Sequence, residues 1–171
     1  MQDHTTEPAR SHERGSRGRR TPSVRTAGED DIPRILDLYR SLVIVTTGAE
    51  AGRRLSPEDL NRVYAEISSM PGHELLVAES HGEVVGTMVL LVVPNLSHSA
   101  LPWALVENLV VDPSHRRQGF GRLLLEHAVN RAKEAGCYKL TVSSDKRRRE
   151  AHLFYGAMGF EPSAHGFRLY F

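Results

Sequence analysis

Residues 103–135 read WALVENLVVDPSHRRQGFGRLLLEHAVNRAKEA, and this stretch decides the fold. Residues 103–111 are aliphatic or aromatic apart from Glu107 and Asn108, which predicts a strand. Asp112-Pro113-Ser114 breaks it. Arg116-Arg117-Gln118-Gly119-Phe120-Gly121 then leads into a helix over about 119–135. Leu124, Leu125, Ala128, Val129 and Ala132 give that helix an inner face, and Gly136 closes it as a C-cap. A helix that starts this way is an anion site, because its first N–H groups lack acceptors and the macrodipole leaves them partly positive. Gly119 and Gly121 let the backbone approach a ligand, since no Cβ intervenes. Arg116, Arg117 and Arg122 add positive charge, and the combination suits a pyrophosphate. A glycine turn with solvated arginines is the plainer reading of the same residues. Two familiar phosphate loops are excluded. A dinucleotide fingerprint needs a small residue where Leu124 stands and an acid near Lys139, and a P-loop needs Gly-Lys-Ser/Thr.

Outward from this stretch, strands and helices alternate. Residues 24–27 form a short strand candidate. Asp30 or Asp31 then caps a helix with Pro33 in its first turn and a stripe of Ile32, Ile35, Leu36, Leu38, Tyr39 and Leu42. Ser56-Pro57-Glu58-Asp59 opens a second helix that runs to about Met70, and residues 46–55 between the two are a loop. Residues 74–80 and 84–93 are strands joined by a turn at His81-Gly82-Glu83, and 95–102 is a second loop. Beyond the long helix come a strand over 138–144, a helix over about 149–158 ended by Gly159-Phe160, and a last strand over 167–171. These elements predict a mixed α+β or α/β domain.

Composition narrows the class. The 171 residues carry 22 Lys and Arg against 21 Asp and Glu, a net charge of +1 that creates no global field for a polyanion. A single cysteine, Cys137, excludes a disulfide framework and a cysteine-based zinc cage. The longest apolar run, 87–93, is far short of the ~20 residues a membrane span needs, and no apolar leader stands at the N-terminus. A reduced, cytoplasmic domain is expected. Residues 1–23 hold Arg10, Arg14, Arg17, Arg19 and Arg20 and no large apolar side chain after Met1, which predicts a disordered basic arm before a domain over 24–171. The arm reads either as a tail that touches nucleic acid or membrane, or, with Asp3, Glu7 and Glu13 interspersed, as a solvated leader.

Arg116-x-x-Gly119-x-Gly121 after a strand ending Val110-Val111-Asp112-Pro113 resembles the acetyl-CoA-binding motif of the GNAT superfamily of N-acetyltransferases. Ala151-His152-Leu153-Phe154-Tyr155 with Met158-Gly159-Phe160 resembles that family's second cofactor motif, and the resemblance spans 24–171. It implies an α/β fold of the mixed α+β kind: a central, mostly antiparallel sheet with two splayed central strands, flanked by helices. It also implies acetyl-CoA as cosubstrate, with no metal. The backbone of Leu109, Val110 and Val111 would pair with the pantetheine arm. Arg116, Arg117, Gln118, Gly119, Phe120, Gly121 and Arg122 would surround the pyrophosphate, with Ser144, Ala151 and Phe154 completing the coenzyme site. An amine acceptor is the expected partner, with neither membrane nor nucleic acid; family members are often homodimers, and no residue here decides that.

Acyl transfer to an amine needs a neutral amine, a stabilised oxyanion and a proton for the departing thiolate. Glu107 interrupts an apolar strand, where a carboxylate is expensive to bury unless partnered. The resemblance makes it the general base, usually through water; otherwise it faces an open cleft or pairs with an arginine. Tyr155 matches the family's tyrosine near the coenzyme sulfur, the general-acid candidate, and a phenol with a pKa of about 10 keeps its proton at neutral pH. A core aromatic beside Phe154 is its alternative role. The N–H groups of Leu109 and Val110 could polarise the thioester carbonyl. Cys137 reads as a small buried residue rather than a nucleophile, and His98 is the histidine placed for substrate contact. Lys146-Arg147-Arg148-Arg149 sits at a helix start, where cations oppose the dipole. A solvated helix start is the default reading; the mismatch slightly favours an anion partner, either the coenzyme's 3′-phosphate or an acidic substrate, and a nucleic-acid patch lacks the aromatic interleaving or wider basic face it would need.

The expected activity is therefore direct transfer of acetyl from acetyl-CoA to the primary amine of a small molecule, such as an amino acid, polyamine, aminoglycoside or aminoalkylphosphonate. Acetylation of protein lysines or N-termini, and a non-catalytic CoA-binding regulatory module, are the alternatives.

Overall fold

The computed structural model describes residues 21–42 and 54–170. In chain order its elements are β1 (Ser23–Thr26), α1 (Ile32–Arg40), α2 (Pro57–Ser69), β2 (His73–Ser80), β3 (Glu83–Val93), β4 (Trp103–Val111), α3 (Phe120–Glu134), β5 (Leu140–Val142) and α4 (Arg149–Ala157). The sheet runs β1-β2-β3-β4-β5. Its first three pairings are antiparallel, and β5 lies parallel to β4. The expected mixed, mostly antiparallel sheet flanked by helices is present.

β2 and β3 are apolar almost throughout because both of their faces are covered. Successive side chains of β2 divide accordingly. Leu76 and Ala78 join Met88, Leu90, Val106, Leu124, Leu125 and Ala128 under α3, whereas Leu75 and Val77 pack with Ile35 and Leu38 beneath α1. Tyr64 ties α2 to the second layer by donating its hydroxyl to the Ala27 carbonyl at 2.9 Å. α2 begins as expected: Ser56 accepts from the Asp59 N–H at 3.1 Å while Asp59 accepts from the Ser56 N–H at 3.2 Å. Asp31 behaves differently from a simple cap for α1. Its carboxylate accepts the Gly28 N–H at 2.7 Å and an Arg25 guanidinium N–H at 2.6 Å, bracing the turn that enters the helix.

β4 carries the feature on which the site depends. Thr87 pairs with Val110 but Val89 pairs with Glu107, so β4 holds one extra residue opposite β3. Asn108 takes up the slack at φ 53°, in the left-handed region that asparagine tolerates better than most side chains. Past the bulge the alternation reverses, and Leu109 faces the α3 layer while Val110 faces the α1 layer. On its other edge β4 pairs with β5 only at Ala104, Leu105 and Val106. Among the described residues, 107–111 then continue without a strand partner on that side; the expected splay is there, but with no strand formed beyond β5 it lies between β4 and the edge strand rather than between two central strands.

Two expected strands are corrected. The strand over 138–144 contracts to Leu140–Val142 because residues 143–145 leave the sheet to enter the cavity described below. No strand forms within 167–170: Phe167 is 95% exposed and Leu169 79% exposed, so the alternating pattern there finds no surface to cover it. Pro162 and Gly166 lie in the approach and disfavour continuous pairing. Phe171, most of the 46–55 loop and residues 1–20 of the expected arm lie outside the described residues. Among the described residues no helix is long and apolar enough to cross a membrane.

Candidate active site

Where β4 and β5 part, a cavity of about 390 Å³ opens. β4 contributes Glu107, Asn108 and Leu109 to its wall, α4 contributes Tyr155, and α1 contributes Tyr39. The chain after β5 adds Ser144 and Arg148, and the C-terminal segment adds Arg168. Glu107 and Tyr155, 48 residues apart by number, thus share one cavity because β4 and α4 flank the same gap.

The electrostatics of the two groups differ from those of free side chains. Burial raises the Glu107 carboxyl above its ordinary range, and the Arg168 guanidinium draws it part of the way back. The Tyr155 phenol is raised chiefly by burial; Arg148 opposes the shift and the negative charge of Glu107 adds to it. Tyr155 is therefore a phenol that retains its proton across neutral pH. Its ring is fixed by Phe154 at 5.4 Å and Phe160 at 5.9 Å between centroids. Glu107 is half-buried and its carboxyl holds its proton more tightly than a free one, a shift toward what a base near neutral pH requires.

The glycine turn forms a second region beyond the end of β4. Arg117 at φ 61° and Gly119 at φ 91° reverse the chain just before α3. Phe120, 5% exposed, anchors the helix start in the core and meets the His115 ring edge-on at 6.1 Å. The first N–H groups of α3 have no intrahelical acceptor. A Cβ at Gly119 would meet no protein atom within 4 Å, so the space beside it is open. Gly121 instead faces the Phe154 ring, which would stand 3.5 Å from an added Cβ. Gln118 donates to the Ser114 carbonyl at 3.1 Å, and Arg116 to the Val111 carbonyl at 3.3 Å. Arg117 makes a 3.7 Å contact with Glu150 and Arg122 a 3.4 Å contact with Glu126, all at exposed positions that leave the guanidinium groups accessible.

Of the expected site residues, the structure brings Glu107, Leu109, Ser144 and Tyr155 to the cavity. Arg116, Arg117, Gln118, Gly119, Phe120, Gly121 and Arg122 belong to the turn and the start of α3, while Val110 and Val111 continue β4 toward it. Ala151 and Phe154 lie on α4, Phe154 closing against Gly121. The buried Ser144 hydroxyl has no hydrogen-bond partner among the described residues. An unpartnered hydroxyl, a strand edge without a neighbour and a bare helix N-terminus together fit an extended ligand ending in phosphates. His98 is not brought to the cavity; it stacks on Tyr138 at 3.9 Å. Cys137 packs against the core, where burial raises its thiol and makes it a poor nucleophile.

Sequence reasoning missed three residues. Tyr39, on α1, shares the cavity wall with Asn108, and burial raises its phenol. Arg168 comes from the segment misread as a strand. Arg34, on α1, donates to the Asp112 carboxylate at 2.6 Å and to the Val84 carbonyl at 3.0 Å, fastening the end of β4. The one available signal was Asn108 itself, a turn-former inside an apolar strand.

Asp112 also accepts from the Ser114 hydroxyl and N–H, and these bonds with the Arg34 contact hold its carboxyl well below the usual carboxylate range. A depressed folded-state pKa contributes stability that is present above the unfolded value of about 3.9 and is lost as pH falls below it. Asp112→Asn should cost about 1–2 kcal/mol at pH 7. It should also flatten the acid limb of stability below about pH 4. Urea unfolding across pH measures both, and parallel curves for variant and parent would contradict the clamp.

Known proteins share this fold. A family model described as the acetyltransferase (GNAT) family matches residues 37–160. The aminoalkylphosphonate N-acetyltransferase of Salmonella typhimurium is 31% identical over 132 residues, covering 65% of this chain and 84% of that protein. The glucosamine 6-phosphate N-acetyltransferase of Trypanosoma brucei brucei is 30% identical over 88 residues, and the match covers 52% of this chain and 58% of that protein's length. Among solved structures, a protein from Bacillus halodurans C-125 described as a transcriptional regulator superposes with a TM-score of 0.79 at 29% identity, covering 88% of this chain and 100% of that one.

Proposed function

Because this chain belongs to the acetyltransferase (GNAT) family, whose members generally use acetyl-CoA, we propose that it transfers an acetyl group directly from acetyl-CoA to the primary amine of a small molecule. The observation that carries the reading is the convergence of Glu107 and Tyr155 on one cavity, beside the unpaired run of β4. Acetyl-CoA, when bound, supplies an acetyl group activated as a thioester. Residues 109–111 would hold its extended arm by backbone pairing, Ser144 would offer its hydroxyl, and the turn from Arg116 to Arg122 would receive the phosphates.

Glu107 takes the proton from the acceptor ammonium, directly or through a water molecule, so that the nitrogen lone pair is free to attack. Burial favours this role, because it brings the carboxyl closer to the pH at which proton exchange with an amine is efficient. The Leu109 N–H, beside the bulge in β4, would donate to the acyl oxygen. Tyr155 gives its proton to the departing sulfur. The catalytic unit of this proposal is 24–171, working in the cytoplasm; a paired assembly is compatible with it and no residue role depends on one.

The small-molecule preference is supported by two relatives named for acetylating an aminoalkylphosphonate and a glucosamine phosphate. A second reading, a CoA-binding module without turnover, is favoured by the similarity to a protein described as a transcriptional regulator. Calorimetry with acetyl-CoA together with thiol release in the presence of an amine and peptide panel separates them. Saturable binding with turnover on small amines is the expected result. Binding with no thiol release on any amine or peptide would support the module, and turnover only on peptides would move the activity to proteins.

A further inference from the structure

The cavity that holds Glu107 and Tyr155 also holds two guanidinium groups, from Arg148 and Arg168. They come from separate parts of the chain, one at the N-terminal end of α4 and one in the C-terminal segment. Neither forms an ion pair among the described residues. Asp145, the other carboxylate in the cavity wall, is already engaged: Arg147 donates to its two oxygens at 2.9 and 3.0 Å and through its backbone N–H at 2.8 Å. Arg148 occupies the position before the first turn of α4, where a cation opposes the helix dipole and gains nothing from the helix. Arg168 feels the charges of Glu107 and Asp145 across the cavity, but neither carboxylate closes on either guanidinium as an ion pair, so both forks keep donors to offer. Such a pair is matched to a planar or tetrahedral oxyanion, which the guanidinium fork binds with charge-assisted hydrogen bonds.

The turn from Arg116 to Arg122 does not line this cavity, so its positive charge and that of Arg148 and Arg168 serve different places. From this separation we propose that the acceptor is an amine that also carries an anionic group, a phosphonate, phosphate or carboxylate, and that Arg168 is the residue that selects for it. Glu107 faces the amine while Arg168, with Arg148, receives the anion. This rests on the proposed acetyl transfer and adds to it the charge of the acceptor.

Steady-state kinetics with 3-aminopropylphosphonate, n-butylamine and 1,4-diaminobutane test the inference, each amine being varied at saturating acetyl-CoA and acetyl-CoA being varied in turn. The phosphonate should be preferred over n-butylamine by roughly 10- to 100-fold in kcat/KM, the range expected of hydrogen bonds to a charged group. Arg168→Gln should erase most of that preference through the KM of the phosphonate, leaving the KM of acetyl-CoA unmoved, and Arg168→Lys should restore part of it. Equal or better use of the neutral amine or the diamine by the parent protein would overturn the inference while leaving acetyl transfer intact. So would a rise in the KM of acetyl-CoA in Arg168→Gln, which would assign the arginine to the coenzyme phosphates. Acetylation of none of the three, with thiol release absent throughout, would remove the underlying activity as well.

Discussion

Tyr155→Phe is expected to lower kcat roughly 100- to 1000-fold, the range associated with loss of a positioned proton donor. The substitution removes one oxygen and leaves the ring, so the contacts with Phe154 and Phe160 persist and α4 keeps its place against Gly121. Coenzyme affinity, measured by calorimetry, should therefore move by less than about threefold, under 1 kcal/mol. The raised phenol predicts the pH behaviour. Its proton is held across neutral pH, so the alkaline limb of kcat lies above the ordinary tyrosine value of about 10 or is masked by other groups. The variant should lose any such limb that belongs to Tyr155. Unchanged kcat would remove the phenol from proton transfer and return the residue to packing.

Glu107→Gln should lower kcat/KM for the amine by about 100-fold at pH 7, again within the range for general catalysis. In the parent, activity should fall on the acid side as Glu107 is protonated, at a pH above the usual glutamate range because burial raises the carboxyl. The variant should lack that acid limb. Stability should move the other way. A carboxyl whose pKa is raised by folding binds its proton more tightly in the native state, so ionising it weighs against the fold once the pH exceeds the unfolded value of about 4.3. Gln carries no such charge, and the variant should unfold at a higher temperature at pH 7 while matching the parent near pH 3. A variant that is both active and less stable would show that Glu107 is held as a structural ion pair.

The local pattern explains why so much of the fold was readable. β4 follows 103–111 because an aliphatic run ends at Asp112-Pro113, and the β2–β3 hairpin follows from Gly82 between two apolar strands. The capping residues of α2 and the glycine before α3 are equally local signals. What escaped was set by distance along the chain. Arg34 finds Asp112 only when α1 lies across the end of β4, and Tyr39 comes to the same cavity wall as Asn108 only through that packing. The bulge needs two strands before an extra residue exists at all. The C-terminal error has the opposite origin: Phe167, Leu169 and Tyr170 have strand-like spacing, but spacing creates no strand without a neighbouring edge. At the site, Glu107 was visible as a carboxylate out of place in an apolar strand and Tyr155 only through the resemblance of its motif, whereas Arg168 looked like one polar residue among many.

The parting of β4 from β5 has a bearing on how the protein should be handled. The edge of β4 that β5 leaves unpaired after Val106 is a template on which another extended chain can zip. Concentrated stocks should therefore present a sticky seam, one that invites copies to add to each other strand by strand and eventually to clump. Keeping a thread-like molecule laid along that seam during purification would act as a sheath.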